Sequence, residues 1–361
     1  MAENPFSICF NMLKLKYATY DASISSLNIL NPEDKVNIFL SVETILKYLT
    51  SLTELEKKLF LNRDFKISMT SDLINVAAHY KEFFKNNGLD TKVFLYMTDL
   101  ESEEEEFPQC EYNIDYRCYY INKYTGNPKF VELTEAFNDF IIPKTQVLCN
   151  FIPDVYFIKS KNIEGSLIPY IVSEKYPDRK NFIVSGDIYD TQYNFVDNFV
   201  CHLFKRHYSN STLSCTVPDY LKIITHKDEV SKEETEIYSN KGFYTLLLAS
   251  IGEKYRSINK IMGIGSKTLC KNILLALNES KITKETESIE LLSTLFEDIG
   301  RDEIIENYNT ISLDNSIGLL TDGDKKILLD QIVDRSDLNS LMKLNNEIFG
   351  EYPLRIESLL G

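Results

Sequence analysis

The sequence predicts an α/β protein, with a mainly parallel sheet flanked by helices followed by an all-helical region. Two observations predict this. Short apolar runs near 36–40, 92–97, 154–160 and 181–186 alternate with stretches of helical spacing, and strands interleaved with helices build parallel sheets. From Gly242 onward the strand-like runs stop and helical periodicity takes over. At 361 residues, the chain is long enough for one large domain or two ordinary ones. The divisions we expect are an N-terminal arm over 1–30, the α/β part over 31–240 and the helical part over 241–361.

The elements follow in order. Residues 1–30 show no clear period. In KVNIFLSVETILKYLT, Val36, Ile38 and Leu40 alternate as in a strand, then Ile45, Leu46 and Leu49 take helical spacing. Helical patterns fill 53–88 and end near Gly88. Lys92 to Met97 reads as a second strand, its near-continuous apolar run suiting a sheet covered on both faces. The region from Ala136 to Phe151 reads as helix then strand, Asp154 to Ser160 as a third strand, Ile163 to Val172 as the start of a helix, and Asn181 to Gly186 as a fourth strand. Residues 195–240 hold one or two more strands, Leu221 to Thr225 among them, and a charged loop. Helices are expected at 267–277, 286–296 and 324–332.

Composition narrows the function. The net charge of −15 is unusual for a chain whose main task is gripping nucleic acid, because Lys and Arg supply that grip. A local basic track remains compatible with it, and protein partners or a metal-rich site fit the balance better. No run of about 18 apolar residues is present, so no transmembrane helix is expected. The N-terminal residues lack the basic start and small-residue cleavage site of a signal peptide. The seven cysteines have no paired spacing and read as reduced thiols. The four histidines match no zinc-site spacing. Richness in Asn, Lys, Ile and Tyr, with no Trp, suggests an AT-rich and viral genome.

Three stretches carry candidate chemistry. Gly263 and Gly265 precede Ser266-Lys267-Thr268 and an apolar-periodic run. Glycines let backbone approach a phosphate, and the following helix start offers free N–H groups. A tight interhelical turn without ligand is the equally weighted alternative. The order Ser266-Lys267 rules out a Walker A loop. Five glutamates among residues 101–106 form a like-charge block, read as a solvated loop ahead of a metal site. Arg117, Lys123 and Lys129 are interleaved with tyrosines between 112 and 129. That pattern suits contact with a nucleic-acid strand or simple aromatic packing.

Taken together, three motifs in one order resemble the 5′-nuclease family, which comprises flap endonucleases, polymerase 5′-exonuclease domains and phage 5′-exonucleases. Gly252 to Thr268, GEKYRSINKIMGIGSKT, aligns without a gap with the family's Gly-Asp-x-x-Asp-Asn…Gly-Ile-Gly-Pro-Lys-Thr segment. IVSGDIYDTQY at 183–193 is similar to IVSGDxDxxQL, and Ile163-Glu164-Gly165-Ser166 stands where the family has Glu-Ala-Asp-Asp. The resemblance covers most of 35–355. It implies a PIN-like, flap-endonuclease-like sheet plus a helix–three-turn–helix in the helical region. It also implies divalent metals held by clustered carboxylates.

Against that pattern the carboxylate set is depleted. The first-strand position falls at Leu40 or Ser41 and the second at Thr98 or Asp99. Ser166 and Leu167 replace two aspartates, Tyr189 replaces another with Asp190 one residue out of phase, and Glu253 and Arg256 replace a further pair. The resemblance leaves Glu164, Asp187, Glu253 and Asp99 as metal ligands if the protein is active. It assigns Gly263, Gly265, Lys267 and Thr268, with Arg117 and Lys123, to DNA phosphates. Arg256 brings repulsion where the family has a ligand. The reading reached is a catalytically degenerate 5′-nuclease-like bacteriophage protein. It would serve as a structural or interaction module in a virion, around portal or neck, and bind other phage proteins or itself. It would need no cofactor and would reside in host cytoplasm or particle, away from membranes. The alternatives are an active Mg²⁺-dependent 5′-nuclease of phage replication, and a non-cleaving DNA-binding protein.

Overall fold

The computed structural model describes residues 33–45, 63–98, 137–161, 163–187, 189–206, 213–216, 223–227, 234–238, 241–252, 258, 260–261, 266–279, 281, 301–334 and 337–350. The N-terminal arm, the acidic block at 101–106, the aromatic-basic stretch at 112–129 and the helix expected at 286–296 lie outside the described residues.

In chain order the α/β elements are β1 (Lys35–Ser41), α1 (Arg63–Asn86), β2 (Asp90–Thr98), α2 (Ile142–Cys149), β3 (Val155–Ser160), α3 (Ile168–Lys175), β4 (Lys180–Ser185), β5 (Phe199–Arg206) and β6 (Leu213–Thr216). A separate hairpin pairs β7 (Ile223–Lys227) with β8 (Glu234–Tyr238). The main sheet runs β3-β2-β1-β4-β5-β6. Its first five strands in that row are mutually parallel, and β6 is antiparallel to β5. Two expectations need correction. The sequence suggested one or two strands over 195–240, and four are present, because short half-polar strands such as ETEIY carry a weak apolar signal. The 136–151 region holds a π-turn and α2 with no strand.

Successive strand residues point to opposite faces, and both faces are covered. Ile38, Leu40, Val93, Leu95, Phe157 and Val184 meet α1 and α2 on one face. On the other, Phe39, Phe94 and Tyr156, side by side in register, form a stacked aromatic row. The helices that follow pack mainly on this second face. They are α4 (Lys241–Ile251), α5 (Ser266–Asn278), α6 (Arg301–Ile311), α7 (Leu313–Gly318) and α8 (Asp322–Leu329). The last helix, α9 (Leu338–Phe349), places Leu341 and Ile348 on the first face. No helix among the described residues is long and apolar enough to cross a membrane.

Between α8 and α9 the chain therefore passes from one face of the sheet to the other at the β3 edge. There the Gln331 amide accepts from the Lys159 N–H at 3.0 Å and donates to the Lys159 carbonyl at 2.9 Å. A side chain thus mimics a ladder partner on an edge strand, a position that otherwise invites pairing with another chain. Gln331→Leu should lower stability by about 1–3 kcal/mol and promote self-association. Denaturant unfolding and light scattering read both. A monodisperse variant of wild-type stability would show that the amide does not guard the edge.

Candidate functional site at the strand ends

In an open parallel sheet, ligands bind beyond the carboxyl ends of the strands where the strand order reverses. Here that point lies between β1 and β4, since the chain builds β2 and β3 on one side of β1 and returns to add β4 on the other. Three carboxylates collect there. Glu43 sits in the helical turn after β1, Glu164 begins the 3₁₀ turn after β3, and Asp187 follows β4.

Two glycines allow the loops to close on one another. A Cβ on Gly165 would lie 3.0 Å from the Thr98 backbone nitrogen and hydroxyl, and one on Gly186 would lie 3.0 Å from the Thr44 methyl. With only hydrogen at those positions, the Gly165 N–H donates to Thr98 Oγ1 at 3.0 Å and the Gly186 N–H to Thr44 Oγ1 at 2.8 Å. The Thr98 N–H in turn donates to Glu43 Oε1 at 2.9 Å. The turns after β1, β3 and β4 and the last residue of β2 are thereby tied into one floor.

Burial pushes the Glu43 carboxyl up to about 7, and the negative charges of Asp187 and Glu164 add to the rise while the Thr98 hydrogen bond opposes it. Glu43 keeps some exposure as a residue, but its carboxyl lies deep. Near neutral pH the Glu43 carboxyl is therefore about half protonated. Asp187 Oδ1 accepts from the Tyr189 N–H at 2.9 Å. A divalent ion needs several oxygens converging at about 2.0–2.6 Å. Among the described residues no three His, Cys, Asp or Glu side chains are arranged to hold one. Glu43 and Asp187 instead accept hydrogen bonds from the chain's own backbone, at Thr98 and Tyr189.

Glu43 is the residue that sequence reading missed. Leu40 is buried in the first-face core, and Ser41 accepts from Thr44. The acid two residues further on lies at the strand ends instead, and a helical turn directly after a strand was the available signal. Tyr189 and Asp190, at and beside a family aspartate position, both turn inward. The buried Tyr189 hydroxyl donates to Ser316 at 3.2 Å, and Asp190 Oδ2 lies 3.5 Å from the Tyr96 hydroxyl.

The remaining sequence candidates are placed as follows. Asp99, Arg117, Lys123, Glu253, Gly263 and Gly265 lie outside the described residues. Lys267 and Thr268 fall in the first turn of α5, where Thr268 is exposed. α4 and α5 form a helix pair, and Ile261 is held to the end of α4 by its N–H to the Ser250 carbonyl, 3.2 Å.

No protein-family model matches the chain, and no curated protein sequence does. Solved structures do. The flap endonuclease of bacteriophage T5, in a complex with DNA and metal ions, is 14% identical over 82% of this chain and 98% of its own, with a TM-score of 0.41. The same T5 protein co-crystallised with metal ions gives 16%, 82% and 99%, with a TM-score of 0.44. The catalytic core of Rad2, with a DNA substrate, gives 12%, 91% and 91%, also at 0.44. The structural neighbours are thus 5′-nucleases.

Proposed function

We propose that this chain is a 5′-nuclease-like protein that has lost efficient cleavage and works as a structural or interaction module. What supports this reading is the use made of the strand-end acids. Glu43 accepts from Thr98 and is about half protonated near pH 7, Asp187 accepts from Tyr189, and a tyrosine buried against the helical region stands where the family motif has a further aspartate. Arg256 adds a positive charge to the same family pattern. The division into an arm, an α/β part to residue 240 and a helical part beyond it belongs to this proposal. So does a bacteriophage setting, in a particle near portal or neck, which rests on composition and on the resemblance to phage nucleases. DNA stays among its partners through Gly263, Gly265, Lys267 and Thr268, with other phage proteins or further copies of the chain.

The second reading, an active Mg²⁺-dependent 5′-nuclease, is favoured by one observation, that Glu43 brings a third acid to Glu164 and Asp187 at the switch point. In it Asp99 and Glu253 complete the ligand set, and Arg117 and Lys123 steady the strand. A Mg²⁺/Mn²⁺ assay on 5′-flap and nicked DNA separates the two. We expect no cleavage above background, unchanged by Asp187→Ala. Robust cleavage abolished by that substitution overturns the first reading. Binding without cleavage, weakening steeply with salt, identifies a DNA-binding module.

A further inference from the structure

We infer that Gln192 is the joint through which the helical region sets the position of the strand-end carboxylates. Gln192 lies in the 3₁₀ segment Tyr189–Phe195 and is fully buried. A glutamine amide has two N–H donors and two acceptor lone pairs, and all are used. Nε2 donates to the Tyr189 carbonyl at 3.3 Å and to the Ile311 carbonyl, at the end of α6, at 2.8 Å. Oε1 accepts from the Leu313 N–H at the start of α7 at 3.3 Å and from Thr245 Oγ1 on α4 at 3.1 Å, whose one proton is shared with the Lys241 carbonyl at 2.9 Å. One side chain therefore binds three helices and its own turn.

From that turn the path to the acids is short. The Tyr189 N–H holds Asp187 Oδ1, and the Tyr189 hydroxyl is itself anchored on α7 through Ser316. The Tyr193 hydroxyl donates to the Ser166 carbonyl at 2.8 Å, holding the loop that carries Glu164. Asp187 and Glu164 are thus both fixed by a segment whose own position is dictated by α4, α6 and α7. A load on the helical region, whether duplex at α5 or a protein partner, reaches these acids through Gln192. The coupling holds for a cleaving and a non-cleaving protein alike, so it goes beyond the functional reading above.

Residue-resolved hydrogen exchange on the full chain tests it, comparing wild type with Thr245→Val, Gln192→Leu and the control Thr145→Val. Thr245→Val keeps the shape of α4 and cuts its link to Gln192. Thr245 also bonds the carbonyl four residues before it, Lys241, and Thr145 makes the same type of helix hydrogen bond, to the Ile141 carbonyl, on the opposite face. We expect the Tyr189 amide to exchange at least tenfold faster in Thr245→Val, with β1 and β2 amides within twofold of wild type. Gln192→Leu should show a larger local increase, and Thr145→Val none at Tyr189. If the Thr245→Val protein exchanges at Tyr189 like wild type, or if every amide accelerates by the same factor, Gln192 is ordinary core and the inference fails.

Discussion

Raising the pH from about 5 to 8.5 should destabilise this protein, and Asp72→Asn should remove a large part of the loss. Asp72 lies within α1, buried to 8% exposure among apolar neighbours, and burial pushes its carboxyl up to about 7. Glu43 reaches about 7 for the mixed reasons given above. In the unfolded chain both groups titrate near 4. Between roughly pH 4 and 7 the folded state therefore holds more protons than the unfolded state, so stability falls as pH rises through that window and stays low above it. At full strength the shift of either group is worth on the order of 3–4 kcal/mol, and relaxation and water entry reduce it. Asp72→Asn removes the ionisation, so it should stabilise modestly at pH 5, where part of the window has been crossed, and more strongly at pH 8.5. Glu43→Gln, which keeps the oxygen facing the Thr98 N–H, should act likewise. Urea unfolding at the two pH values reads the effect. A wild type equally stable at both, with Asp72→Asn destabilising at both, would show that Asp72 is not forced to ionise in the fold.

That same acid shows where the sequence was silent. Strands with near-continuous apolar runs were legible because a sheet covered on both faces leaves them no polar alternative. KVFLYM and NFIVS fall within β2 and β4 to within two residues. The helices on either side of the glycine loop in sequence were legible from their apolar periodicity. By contrast, Asp72 gave no warning. α1 is buried on so much of its circumference that its moment is diffuse, and a single carboxylate in it reads as a solvent-facing residue. Glu43 was passed over because motif matching looks for the acid on the strand, whereas here the turn after β1 carries it. Gln192 was visible only as one letter of a motif. Its four hydrogen bonds reach residues 53 to 121 positions away, apart from the local one to Tyr189, and no spacing rule records such partners. Glu164 and Asp187 were found through the family motifs, and the fold brings them together because loops after parallel strands meet at one end of the sheet.

The opposite end of the sheet bears the second large effect, which should touch stability and spare the site. Arg179, immediately before β4, is buried to 5% exposure. Its guanidinium donates to Asp90 Oδ2 at 3.0 Å and Oδ1 at 3.2 Å, to the Asp90 carbonyl at 2.7 Å and to the Val36 carbonyl at 3.2 Å. One side chain thus pins the starts of β1, β2 and β4, and the planar fork is the only side chain geometry able to do so. Arg179→Met keeps most of the apolar stem but leaves the buried Val36 carbonyl without this donor and Asp90 without its cation. The expected cost is about 2–4 kcal/mol. Arg179→Lys should recover part of it, since an ammonium cannot serve both carboxylate oxygens and two carbonyls. The hydrogen bond from Arg179 is also the main cause holding the Asp90 carboxyl below its usual range. That contribution is present above the unfolded value near 4 and fades as pH falls through the lower folded one. The gap between wild type and Arg179→Met should therefore narrow in acid, while the gap for Asp72→Asn opens in base. A strand of six residues spans roughly 20 Å, so the distance alone should leave Tyr189 exchange and any DNA affinity unaltered apart from global unfolding. A denaturation midpoint for Arg179→Met indistinguishable from wild type at pH 7 would mean that Lys180–Asp34 and Lys35–Asp178, the exposed and half-exposed pairs beside it, suffice to hold the strand starts together.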